Sequence, residues 1–147
     1  MPPTSRNRRP AKMAGYSGTP LWKKLGYATG TRALVVGGPP GYRGLLGLPA
    51  GLKVDWLRRR QPGMGFVHIF SAGAQPLREE LARLRREIAP SGVVWVSWPK
   101  KASRVPTDIT EDRIREVALP MGFVDVKVCA VDETWSGLKL MIRRTER

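Results

Sequence analysis

The chain is nearly without cysteine and histidine. Cys129 is its single cysteine, so no disulfide can close within it and no cysteine-based metal site is expected. His68 is its single histidine. It lies inside the apolar run "GFVHIFS" and reads as a packed strand residue, with no metal site around it. Long apolar runs are missing too: none approaches the roughly 18 to 20 residues a membrane-crossing helix needs. No apolar stretch of the signal-peptide kind opens the chain. The expectation is a cytoplasmic protein with no membrane partner. Acid is the third shortage. Residues 1 to 60 carry twelve Lys or Arg against one acid, Asp55, whereas residues 61 to 147 carry fourteen bases and eleven acids. The net charge of +14 is therefore concentrated in the first part of the chain. Such asymmetry points to an anionic partner: a nucleic acid, an anionic small molecule or nucleotide such as a phosphorylated ligand, or an acidic protein. The bland alternative is that the bases only keep the chain soluble. No dense basic helix and no basic-aromatic repeat of the RNA-binding type is present.

What is there fits one domain: 147 residues, 41% of them hydrophobic. Residues 1 to 13 have no hydrophobic period and read as a disordered basic tail. Residues 14 to 147 form the domain. "TPLWKKLG" is a short helix, with Thr19 as N-cap, Pro20 in the first turn and Gly26 at its end. Residues 32 to 37 form the first strand, apolar from Ala33 to Val36 as in a strand buried on both faces. A short helix from Tyr42 to Leu48 follows. "LKVDWLR", residues 52 to 58, alternates and predicts a second strand, and residues 65 to 71 a third. Pro76 to Ala89 is a helix whose Leu77, Leu81, Leu84 and Ile88 form one stripe. Residues 93 to 98 are another buried strand. The spacing of Asp108 and Glu111 predicts a capped helix start near residue 108, with Gly122 as its close. Strands 124 to 131 and 138 to 143 end the chain as an antiparallel hairpin. Strands alternating with helices imply an α/β domain with a mostly parallel sheet and a single core.

This order, with "REIAPSGVVWVSWPK" leading a helix into a strand and a hairpin last, resembles the class I methyltransferase, Rossmann-like fold. The blocks "GYSGTPLWKKLG", "GGPPGY", "VSWPKKAS" and "TDITEDRIREVALPMGFVDVKVCAVDETWSGLKL" resemble the small bacterial family known as domain of unknown function 3052. That resemblance covers residues 14 to 143. It implies a Rossmann-like domain and no particular activity. The family pattern begins near Met13, which makes Met13 the expected start; Arg6, Arg8, Arg9 and Lys12 then lie upstream of it.

The first strand delivers the chain to Gly37-Gly38-Pro39-Pro40-Gly41. Cofactor loops of this fold use glycines for a tight turn and close backbone approach. Pro39 and Pro40 remove two of the N–H donors that would cradle an anion. The acid that binds ribose hydroxyls after strand two is also missing. Asp55 lies inside the strand, and the strand ends in Arg58-Arg59-Arg60, which suits a ribose phosphate instead. S-adenosylmethionine is thus disfavoured as cofactor. In open parallel sheets ligands sit beyond the carboxyl ends of the strands. That edge is expected to gather Gly37, Gly38, Gly41 and Tyr42 with Lys100, Lys101, Asp132, Glu133 and Trp135. Lysines there would grip phosphate and aromatics would stack on a base. Exposed ion pairs and packing aromatics are the competing account of the same residues. Three functions stay open: an anionic or nucleotide-type ligand at this edge, a nucleic-acid or ribosome-associated binding role, and a divergent S-adenosylmethionine-dependent methyltransferase.

Overall fold

Six strands form one sheet in the order β2-β1-β3-β4-β6-β5. They are β1 (Arg32–Val36), β2 (Asp55–Trp56), β3 (Met64–Phe70), β4 (Ile88–Pro99), β5 (Phe123–Ala130) and β6 (Trp135–Ile142). The computed structural model describes residues 18–147, so the basic tail expected at residues 1 to 13 lies outside the described residues. β1 to β4 are mutually parallel, and β6 runs antiparallel to both β4 and β5. β5 therefore points the same way as β4, and only β6 reverses. This is the α/β architecture that the alternating pattern implies.

Four helices cover the two faces: α1 (Leu21–Leu25), α2 (Tyr42–Leu46), α3 (Ala74–Glu87) and α4 (Glu111–Ala118). The period-two alternation of the strands sorts their side chains. Leu34, Val67, Ile69, Val94 and Val96 face α3 and α4. Ala33, Phe66, Phe70 and Trp95 face α1 and α2. The indole N–H of Trp95 donates to the Leu25 carbonyl at 2.9 Å, tying the end of α1 to the sheet.

Several boundaries differ from the sequence pattern: α3 ends at Glu87, so Ile88 and Ala89 belong to β4, which starts five residues earlier than expected, and β6 starts at Trp135. Three further differences have a local reason. Pro20, not Thr19, is the N-cap of α1, and no side chain caps it. α4 begins at Glu111 because Thr110 is its N-cap, accepting the Arg113 N–H at 3.0 Å. Asp108 instead accepts the Ala74 N–H at 2.8 Å, so it caps α3 across the loop. β2 shrinks from the expected residues 52 to 58 to two residues, level with Arg32 and Ala33 of β1. Its shortness explains the next segment. A parallel crossover usually needs a dozen residues or more, commonly a helix. Here residues 57 to 63 suffice, because β2 stops at the amino-terminal half of β1 and the chain has little distance to travel back. Arg60 pins this strap to α3 through ion pairs with Glu80 and, at 2.9 Å, Glu87.

Candidate functional site

The carboxyl ends of β1, β3 and β4 lie at one edge of the sheet, with the β5–β6 turn beside them. Gly37 and Gly38 follow β1 where it runs against Phe70 of β3. A Cβ on Gly37, whose φ is 70°, would sit 2.9 Å from the Phe70 carbonyl oxygen. A Cβ on Gly38 would sit 2.7 Å from Val35 Cγ1. Both positions exclude a side chain: Gly37 by the close approach of the Phe70 backbone, Gly38 by the packed side chain of Val35. Of residues 38 to 41 only Gly38 and Gly41 carry an N–H, since Pro39 and Pro40 have none. The Pro39 carbonyl accepts the Tyr42 N–H at 3.1 Å, and Gly41 is the N-cap of α2. The loop is thus a stiff turn into a helix.

The rim continues from this loop through aromatic contacts. Phe70 stacks on His68, with centroids 4.3 Å apart, and meets Trp135 edge-on at 5.1 Å. Trp135 pairs with Pro99 across β6 and β4, and the Lys100 N–H donates to the Thr134 carbonyl at 2.8 Å. Gly38, Phe70, Trp135 and Lys100 therefore follow one another along the same edge. Lys101 is exposed and opens the single turn Lys101–Ser103. The Asp132 carboxylate accepts the N–H groups of Thr134 and Trp135 at 2.9 and 2.8 Å, which shapes the hairpin turn. Glu133 is exposed. Among the described residues, the ion pairs include none between Lys100 or Lys101 and these two acids.

The edge holds a cleft of about 470 Å³, and it takes in part of the expected set. Gly38, Gly41 and Tyr42 line it together with Arg43, Trp56 and Leu57. Lys100, Lys101, Asp132, Glu133 and Trp135 do not; they lie beyond Phe70. Inside the cleft the Arg43 guanidinium rests over the Trp56 ring, 4.6 Å from its centroid. Among the described residues, no carboxylate lines the cleft. Asp55 pairs instead with Arg32 at 3.2 Å, both well exposed. Of the three arginines after β2, Arg60 is held by α3, while Arg58 and Arg59 are exposed. Arg43 and Trp56 were not singled out by motif. Their signal was weak: a base directly after Tyr42, and an aromatic within "LKVDWLR".

Tyr42 turns inward rather than offering its ring for stacking. It is buried, and its hydroxyl meets Tyr27 Oη at 2.7 Å and His68 Nδ1 at 2.8 Å. His68 Nε2 in turn meets Ser97 Oγ at 2.7 Å. His68 and Ser97 are both fully buried. Burial pushes the imidazole down to about 3, so it is neutral, and burial pushes both phenols well above their ordinary value. A neutral imidazole has one donor and one acceptor nitrogen. The chain Tyr27–Tyr42–His68–Ser97 is satisfied whichever way its protons run, provided all run the same way. This wire stiffens the floor of the cleft.

No family model matches the chain, and no curated protein matches its sequence. Solved structures do resemble it. An S-adenosylmethionine-dependent methyltransferase from Aquifex aeolicus superposes with a TM-score of 0.58 at 16% identity, over 82% of this chain and 86% of that one. The fold is that of the class I methyltransferases. A Bordetella parapertussis protein gives 0.60 at 10% identity, over 84% and 66% of the two chains. A TehB-like S-adenosylmethionine-dependent methyltransferase from Corynebacterium glutamicum gives 0.51 at 13%, over 83% and 85%. Identities this low carry the fold and not the chemistry.

Proposed function

We propose that the chain binds an anionic, nucleotide-type ligand in the cleft beyond β1 and β2. One observation carries the reading: the cleft presents a guanidinium stacked on an indole and no carboxylate. A planar base can take the place of the guanidinium on Trp56, and the displaced Arg43 can then fork onto a phosphate. Arg58 and Arg59 follow Leu57, a wall of the cleft, in an exposed segment and add positive potential. Tyr42, which lines the cleft, is held from behind by its hydrogen bonds to Tyr27 and His68.

A second reading, an S-adenosylmethionine-dependent methyltransferase, is favoured by the likeness to proteins described in those words. Against it stand Pro39 and Pro40 in the loop and the absence of a carboxylate for ribose hydroxyls. Calorimetry separates the two. Adenosine monophosphate and the dinucleotide phosphates are expected to bind more tightly than adenosine or S-adenosylmethionine. Arg43→Ala is expected to weaken them by about tenfold to a hundredfold, the worth of a charge-assisted pair. Low-micromolar binding of S-adenosylmethionine that survives Arg43→Ala would overturn the first reading in favour of the second.

A further inference from the structure

A second cleft, of about 600 Å³, opens at the other end of the sheet, between α1 and the β5–β6 hairpin. It is lined by Lys23, Lys24 and Lys127, with Thr19, Ser136 and Cys129 among the remaining walls. Among the described residues, no carboxylate lines it. Among the described residues, none of the three lysines makes an ion pair. Residues 1 to 17, which precede Thr19, contain no acid and add Arg6, Arg8, Arg9 and Lys12, so they bring no countercharge either. The exposed Lys127 turns toward α1, its ammonium 3.4 Å from the Lys24 carbonyl oxygen. The charges of Lys24 and Lys127 both bear on the Cys129 thiol, opposing the burial that pushes it up. The ammonium groups of Lys24 and Lys127 therefore both bear on the wall of the cleft that Cys129 forms.

We propose that this cleft is a second binding site, specific for the phosphoryl group of a soluble phosphate or phosphomonoester. Three ammoniums set around one hollow repel one another, and a dianion relieves that repulsion. Lysine binds phosphate as a point charge, and the hydroxyls of Thr19 and Ser136 supply neutral donors for remaining oxygens. The apolar wall of Val128, Cys129 and Ala130 leaves room for an uncharged body attached to the phosphoryl group. β2 and β5 are opposite edges of the sheet, so this site stands or falls apart from the nucleotide cleft.

Cys129 is the single cysteine and gives a local reporter. Its labelling is followed with a neutral reagent, N-ethylmaleimide, and an anionic one, dithiobis-nitrobenzoate. Inorganic phosphate and phenyl phosphate, at saturating millimolar levels, are expected to slow both reagents about tenfold or more, because a bound ligand covers the thiol. Sodium chloride at matched ionic strength is expected to slow neither to that extent. Lys24→Gln with Lys127→Gln is expected to abolish the protection and leave the melting temperature unchanged. Three results would overturn the proposal: slowing of the anionic reagent alone, which is screening; phosphate protection that persists in the double variant; or protection by phosphatidic acid vesicles without protection by either soluble probe.

Discussion

His68 is where one residue decides most. A lone histidine in an apolar strand was legible as a packed residue. Its partners were not, since Tyr27, Tyr42 and Ser97 lie 41, 26 and 29 positions away and reach it only through the sheet and α2. The same burial that hides the ring makes it a liability in acid. Unfolded, the imidazole takes a proton near its ordinary 6.5; folded, burial holds it down to about 3. Between those values the unfolded chain binds a proton that the fold refuses. Stability is therefore fully present above 6.5 and drains as pH falls toward 3, by up to about 1.4 kcal/mol per pH unit. Urea unfolding of wild type and His68→Gln, at about pH 7 and about pH 5, isolates this effect above the range where most carboxylates titrate. Wild type is expected to lose about 2 kcal/mol more than the variant over that interval. Equal losses would mean that the folded protein accepts the proton, and the neutral wire would be wrong.

At the scale of elements, what the sequence made legible depended on burial on both faces or on a full helical stripe. α3, β1, β3 and the β5–β6 hairpin are found where the periodicity puts them, to within a few residues. β2 and the start of α4 are not. The alternation in "LKVDWLR" is real, but a strand needs a neighbour along its length, and β2 meets β1 only at its amino-terminal half. The spacing pointed to Asp108 as the cap of α4, and it could not reveal that Thr110 caps α4 while Asp108 serves α3. In the candidate site the glycine loop was legible from its motif, whereas Arg43 and Trp56 depend on where β2 stops. The strap of residues 57 to 63 was invisible for the same reason. Its anchor is Arg60, about one-fifth exposed, forked between Glu80 and Glu87. Arg60→Ala would leave two partly buried carboxylates without their cation, and is expected to cost about 1–2 kcal/mol in urea unfolding. Arg60→Lys is expected to recover only part of that, because an ammonium cannot fork between two carboxylates as a guanidinium does. Full recovery by lysine would show that charge alone holds the strap.

Across the whole molecule the two kinds of base divide the work. Among the described residues every ion pair is made by arginine: Arg32, Arg60, Arg83, Arg85, Arg113, Arg115 and Arg143 hold the acids of the helices, the strap and the chain's end. No lysine takes part in any of them. Among the described residues the positive excess is thus carried by lysines without a countercharge and by the arginines outside these pairs, Arg43, Arg58 and Arg59 among them. This division turns the question of a nucleic-acid partner into a clean experiment. Exhaustive acetylation removes lysine charge and leaves every arginine intact. If the fold rests on arginine pairs, the acetylated protein should keep its melting temperature to within a few degrees, since surface changes usually stay within about 0.5 kcal/mol. Binding of single-stranded RNA, read by fluorescence anisotropy across a salt series, should separate from stability altogether. For the unmodified protein the affinity is expected to fall steeply with salt, as phosphate contacts release counterions. If the lysines make the phosphate contacts, acetylation is expected to abolish the binding and flatten the slope, although arginines outside the ion pairs keep their charge. Binding that survives acetylation with its salt slope intact would place the contacts on Arg43, Arg58, Arg59 and the other unpaired arginines. The lysines would then be left as solubility charges, and the nucleic-acid role would move to the edge of the sheet that holds the β2 cleft.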